Sequence, residues 1–359
     1  MFFASDNGLG ASDKVMQAIV AANGGARLGY GNDDGTKKVE RMLSDLFERD
    51  VGVYMVITGS AANGLALSTL TPPWGIVLCH EESHVIEDEC CGPEFFTGGA
   101  KLVGIPGPGA KFSAAALEHA LARLPKRVPH NAPAHALSIT QSTEYGLVYS
   151  VDEVKALTAI AKAKGLNVHM DGARFANAVA SLGCSPAELT WKAGVDVLSF
   201  GTTKGGGLAC EAMVFFDPAK GADMVRRRMR GGHLLSKHRF LAAQMEAFIG
   251  DGHWLELAGH ANAMATRLAA GLAAVPGVKV PFTPQANGVF PILPKPVEAA
   301  LKAAGAVFYP WSDKSLPAGF TVGPDETVVR LITSFATRSE DVDRFVAIAA
   351  EAAAPLAAE

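Results

Sequence analysis

Short apolar runs rich in β-branched residues alternate with helical patterns across residues 50–220, and this alternation constrains the fold more than any other feature of the chain. The runs are Val53–Ile57, Ile76–Cys79, Leu102–Ile105, Ala136–Thr140, Asn167–Met170, Val195–Phe200 and Ala212–Phe216. Several are apolar throughout, as strands covered on both faces are. Between them, Ala114–Ala122 and a segment containing Leu157–Ala163 have helical spacing, and the second opens with the capping-box pattern Ser150-x-x-Glu153. Thr36–Glu48 sets Val39, Leu43, Leu46 and Phe47 at helical spacing. Strand–helix alternation of this kind predicts a mainly parallel α/β sheet.

After about residue 218 the pattern changes. Helical segments dominate Met224–Ala274, and Pro276-Gly277 breaks the chain. Short strands (Val278–Pro281, Val289–Leu293, Val328–Thr333) then mix with helices near 295–304 and 339–350, the last opening with Thr337-x-x-Glu340. The division predicted is a large domain over residues 1–250, including the N-terminal segment, and a small α+β domain over 251–359.

In doubly wound sheets, ligands bind at the carboxyl ends of the strands. Three strand ends carry chemistry. Val53–Ile57 is followed by Thr58-Gly59-Ser60-Ala61-Ala62-Asn63, whose small residues and helix-start amides suit an anion, or form an ordinary N-cap. Asn167–Met170 is followed by Asp171-Gly172-Ala173-Arg174. That carboxylate suits a cationic ring nitrogen and the arginine an anion, unless the two form a structural ion pair. Val195–Phe200 is followed by Gly201-Thr202-Thr203-Lys204-Gly205-Gly206-Gly207, which offers either an aldehyde-reactive amine or an exposed loop lysine. In this order, an anion site, a ring-nitrogen partner and a Schiff-base lysine are the parts that pyridoxal phosphate needs.

With these residues in view, the chain resembles the pyridoxal phosphate-dependent L-threonine aldolases of low-specificity type. The likeness spans nearly the whole sequence. It includes Ser5-Asp6-Asn7-Gly8, Tyr30-Gly31, Thr58–Asn63, His84 with Glu89, His169-Met170-Asp171-Gly172-Ala173-Arg174, Ser199–Gly207 and Val329-Arg330-Leu331-Ile332-Thr333-Ser334. The resemblance implies the aspartate aminotransferase fold (fold type I) and retro-aldol cleavage of L-threonine, L-allo-threonine and related β-hydroxy-α-amino acids to glycine and an aldehyde. It implies that Lys204 carries the cofactor and that Gly59, Ser60, Ala61 and Thr203 hold its phosphate. Asp171 would pair with the ring nitrogen, and His84 would stack on the ring and contact the substrate hydroxyl. Glu89 would orient His84 or a water. Ser5, Arg174 and Arg330 would grip the substrate carboxylate. Tyr30 and Lys237 would reach the site of a neighbouring subunit in a homodimer or homotetramer.

One departure stands out. Many members of this family carry a second histidine in an E-N-T-H segment, and here Gln141-Ser142-Thr143-Glu144 puts Glu144 in its place. A carboxylate there is a candidate acceptor for the hydroxyl proton.

Other classes fit less well. His80-Glu81-Glu82-Ser83-His84 matches the H-E-x-x-H zinc-hydrolase pattern, but that pattern needs a helix and here follows a strand without a spacer. No metal is therefore assigned. A phenylserine preference, or another pyridoxal phosphate-dependent reaction such as β-elimination, would use the same parts. A near balance of 32 Lys+Arg against 36 Asp+Glu argues against nucleic acid. The cluster Arg226-Arg227-Arg228 with Arg230 reads as a solvated helix face. No apolar run of membrane-spanning length is present. Five cysteines without a CxxC pair, and no leader pattern, predict a cytoplasmic protein. Cys90-Cys91 and Phe95-Phe96 read as buried apolar residues.

Overall fold

The computed structural model describes residues 1–357. Seven strands form the main sheet: β1 Gly52–Val56, β2 Ile76–His80, β3 Lys101–Ile105, β4 Ala134–Thr140, β5 Asn167–Gly172, β6 Val197–Gly201 and β7 Glu211–Phe215. Every predicted strand of this region is present, with ends shifted by at most two residues. The order across the sheet is β1-β7-β6-β5-β4-β2-β3. Neighbours from β6 through to β3 are parallel, whereas β7 runs antiparallel to both β1 and β6. The reversal follows from the connection. Only residues 202–210 join β6 to β7, too few for the crossover that a parallel pair requires.

Helices cover both faces, each started by a local signal. Ser150 and Glu153 make the expected capping box on the helix Val151–Ala163. Asp33 accepts the amide of Thr36 at 2.9 Å and caps the helix Asp34–Leu46, which begins two residues earlier than predicted. The helix Gly59–Leu70 has no charged residue and is buried nearly all round, so it packs through the middle of the fold. At Gly64 the Phe96 ring lies where a side chain would begin, 2.6 Å from the position of a Cβ.

The small sheet consists of β8 Gly288–Val289, β9 Ile292–Pro294, β10 Tyr309–Pro310 and β11 Glu326–Ile332, with β11 antiparallel to the other three. The predicted strand Val289–Leu293 is split in two at Pro291, which has no N–H for a ladder. Val278–Pro281 is reduced to a single bridge, Lys279 to Ile292. Thr337 does not cap the last helix. Its hydroxyl accepts the Ser334 amide at 2.8 Å, and the helix begins at Ser339.

Two apolar cores result. One surrounds the main sheet and includes Phe47, Phe175, Phe200 and Trp254. The other joins Phe3, Leu268, Leu272, Val329 and Phe345. The helix His253–Ala273 serves both, with Trp254 and Ala258 in the first and Leu268 and Leu272 in the second. Phe3 is tied to the small sheet, donating to Val307 O at 2.9 Å and accepting from Ile332 N at 2.8 Å. This anchor delivers Ser5, Asp6 and Asn7 towards the carboxyl ends of the main strands.

Three expectations about burial fail. Cys90 and Cys91 are exposed, because both occupy left-handed backbone (φ 49° and 58°) in a turn that directs Glu89 inward instead. Phe95 is 79% exposed, since the short helix Gly92–Thr97 faces the core with Pro93 and Thr97. Arg228 is buried, donating to Met55 O and lying 3.0 Å from His238 Nε2, so the arginine cluster is not uniformly solvated.

Candidate active site

A cavity of about 280 Å³ opens at the carboxyl ends of β1, β2, β4, β5 and β6. It brings together Gly59, Ser60, His84, Glu89, Glu144, Asp171, Arg174, Thr203 and Lys204 from the sequence-derived set. Ala61 lies behind the wall. Tyr30 and Lys237 are exposed and lie outside the cavity, beside each other, with Tyr30 N donating to Ser236 O at 2.9 Å.

One end is built for an anion. Thr58 caps the central helix through the Ala61 amide at 3.2 Å, so the N-cap reading and the anion reading both apply. The Gly59 and Ser60 amides have no partner among the described residues, as first-turn amides lack one. Thr203 Oγ1 is buried and without a hydrogen-bond partner.

Lys204 is not an exposed loop lysine. It lines the cavity with no hydrogen-bond or ion-pair partner among the described residues. Burial, and then the charge of Arg174, hold its amine below the usual lysine range. Asp171 and Arg174 do not pair with each other. Asp171 accepts the Ala173 amide at 3.0 Å and Asn63 Nδ2 at 2.9 Å. Arg174 is gripped bidentately by Asp6 at 2.7 and 2.9 Å, and Asn287 donates to the same carboxylate at 3.1 Å.

A second network faces the same space. Glu89 Oε1 lies 2.8 Å from both His84 Nδ1 and Asn63 Nδ2. Burial alone disfavours the His84 imidazolium, but the Glu89 hydrogen bond and the Asp171 charge outweigh it and raise the pKa. Glu144 accepts the His84 amide at 2.8 Å through Oε1, while its Oε2 is buried without a partner. Burial, aided by the Asp171 charge, pushes this carboxyl up to about 7.

Arg330 lies on β11 just outside the lining, its guanidinium 4.9 Å from the Trp311 ring centre and without an acidic partner among the described residues. Burial and the nearby Arg174 push it down to about 10. Ser5 is half-buried and accepts the Asn7 amide at 3.1 Å.

The H-E-x-x-H pattern does not form one helical face. His80 ends β2, His84 starts the helix His84–Glu87, and both ring nitrogens of His80 are engaged by backbone, at Gly107 O and Glu82 N. Sequence reasoning missed Asp6, Asn63, Glu211 and Asn287. Asn63 had a signal, as the one amide in a helix of otherwise small or apolar residues around it; Asp6 had none, because its partner is 168 positions away.

An unpartnered amine, a buried carboxylate and an orphaned hydroxyl beside free amides fit the aldehyde, ring nitrogen and phosphate of pyridoxal phosphate. Comparison with known proteins agrees. Residues 3–293 match the beta-eliminating lyase family. Low-specificity L-threonine aldolases of Pseudomonas sp. (strain NCIMB 10558) and Pseudomonas aeruginosa are each 44% identical over 307 residues, covering 86% of this chain and 88% of theirs. The Leishmania major threonine aldolase structure superimposes with a TM-score of 0.90 at 29% identity, covering 98% of this chain and 99% of that one. A Sphingomonas wittichii serine palmitoyltransferase, 19% identical with a TM-score of 0.71 over 98% of this chain and 86% of that one, shares the fold. The chain thus belongs to the beta-eliminating lyase family and, within it, groups with the L-threonine aldolases.

Proposed function

We propose that the chain is a pyridoxal phosphate-dependent aldolase that cleaves L-threonine, L-allo-threonine and related β-hydroxy-α-amino acids to glycine and an aldehyde. The observation that carries this reading is one cavity holding the unpartnered Lys204, the fixed carboxylate of Asp171 and the orphaned Thr203 hydroxyl, in a chain 44% identical to L-threonine aldolases.

Bound there, pyridoxal phosphate supplies an electron-withdrawing ring for the charge left when the Cα–Cβ bond breaks. Lys204, held towards its neutral amine, is the group that holds the cofactor's aldehyde carbon. Asp171 keeps a proton on the ring nitrogen, and the Ala173 amide and Asn63 keep its two oxygens in place. Gly59, Ser60 and Thr203 take the phosphate, with Ala61 behind them. His84, oriented by Glu89, would hold the ring. Arg174, steadied by Asp6, joins Arg330 and Ser5 in binding the substrate carboxylate. Fixing that carboxylate selects which bond at Cα is aligned for cleavage. Glu144 takes the hydroxyl proton on its free Oε2, beside His84.

The test is a visible spectrum before and after pyridoxal phosphate and then L-allo-threonine, with acetaldehyde assayed in the same cuvette. The expected result is a cofactor band that shifts with the amino acid, together with acetaldehyde. A band with no aldehyde from threonine, allo-threonine or phenylserine would remove the aldolase reading. No band would remove the cofactor.

Residues 1–250 and 251–359 are proposed as the large cofactor-binding and small domains, with the helix His253–Ala273 reaching into both cores. Among the described residues no helix is long and apolar enough to cross a membrane, and a cytoplasmic location is proposed. Exposed Leu28, Tyr30 and Leu235, together with Lys237, support a homodimer or homotetramer in which Tyr30 and Lys237 reach a neighbouring site. Light scattering is expected to give at least twice the 37.4 kDa chain mass; a monomer at assay concentration would remove that part.

A further inference from the structure

Glu211 has no part in the chemistry above, yet it lines the same cavity as Gly59, Ser60, Thr203 and Lys204. It opens β7, level with Val56 on β1 and Gly201 on β6. Because β7 runs against its neighbours, its first residue lies at their carboxyl ends. The side chain is buried, 6% exposed, and accepts the Thr202 amide at 2.8 Å and the Thr203 amide at 3.4 Å. An acidic group is thus buried beside the Thr203 hydroxyl, which makes no well-aligned hydrogen bond, at the end of the cavity suited to an anion.

Its surroundings do little to stabilise a second negative charge there. The helix Gly59–Leu70 has no ionisable side chain, and the nearest residues on β1 and β6 are Val56 and Gly201. From the connection that leads into its strand the neighbour is Cys210, a buried thiol pushed well up. Lys204 is the cation beside it, and burial and Arg174 hold that amine below the usual lysine range. Burial pushes the Glu211 carboxyl up to about 7, against the Thr203 hydroxyl, the Thr202 and Thr203 amides and Lys204. Bringing a phosphate to Thr203 adds a like charge to the same enclosed space, which favours the protonated carboxyl further.

We propose that Glu211 is the proton-holding partner of the cofactor's phosphate, so that loading the cofactor takes up one proton at this carboxyl and weakens as pH rises above neutrality. The inference rests on the pyridoxal phosphate reading. The sign follows from linkage: a carboxyl whose bound-state pKa lies above its free-state value gains a proton on binding, and affinity falls as pH rises through the interval.

Calorimetric titration of the cofactor-free chain with pyridoxal phosphate, and with pyridoxal, which lacks the phosphate, tests this. Titrations at pH 6.5 and pH 8 in two buffers of different ionisation heat count the protons, and visible absorbance gives Kd. At pH 8, pyridoxal phosphate is expected to take up close to one proton more than pyridoxal. In Glu211→Gln, which keeps an acceptor for the Thr202 amide, that difference should vanish. The wild-type Kd should rise with pH by up to about tenfold per unit more steeply than the variant's. Equal proton counts for the two ligands in the wild-type chain would overturn the proposal even if the variant did not fold. Equal counts and slopes in wild type and variant would also overturn it. No spectral change with either ligand would instead overturn the cofactor reading beneath it.

Discussion

Lys204→Ala is expected to leave a folded protein that binds pyridoxal phosphate without a covalent bond and turns over L-allo-threonine at least about a thousand-fold more slowly. The buried amine makes no hydrogen bond or ion pair among the described residues, and burial with the Arg174 charge outweighs the attraction of Asp6, Asp171 and Glu211, so its removal relieves more than it costs. The thermal midpoint of the cofactor-free variant should therefore equal or exceed that of the cofactor-free wild type. Borohydride treatment followed by mass measurement should add the cofactor's mass to the wild-type chain and not to the variant. A variant within tenfold of wild-type turnover would remove Lys204 from its proposed role, and a much lower midpoint would mean that it is structural.

Glu144→Gln carries the next largest expectation. The carboxyl is pushed up to about 7, so its base form grows as pH rises through neutrality. Wild-type kcat/KM should fall below pH 7 as Glu144 takes up a proton. The glutamine keeps an oxygen for the His84 amide but cannot accept a substrate proton. A loss of about 10² to 10⁴ in rate is expected, with the limb near pH 7 gone and only the contribution of His84 left. If the limb survives in the variant, it belongs to another group and Glu144 does not take the proton.

The sheet was legible because its strands are near-continuous apolar runs, and the positions of Asp171 and Lys204 followed from looking beyond each strand's carboxyl end. The same rule hid Glu211. It is the first residue of β7, at that end of the sheet only because the short 202–210 connection reverses the strand. Asp6 and Asn287 were hidden for another reason. Their bond to each other and to Arg174 joins segments hundreds of positions apart, and no local pattern marks it. Cys90, Cys91 and Phe95 were misread because residue type was allowed to decide burial, whereas a left-handed turn and a short helix set which side chains face inward. Arg228 shows the converse, a guanidinium drawn inside by the Met55 carbonyl and His238.

Asn63 has a wider consequence. Its single amide nitrogen donates to Asp171 on one side and to Glu89, and through it to His84, on the other. The proposed ring-nitrogen partner and the proposed hydroxyl-side groups therefore share one joint rather than acting as two independent devices. The energetic effects of altering Asp171 and Glu89 are coupled through that nitrogen and do not simply sum. With the roles proposed above, tuning the electron sink through Asp171 is expected also to retune the group facing the substrate's side chain, so that electronic strength and side-chain selectivity drift together while Asn63 is in place.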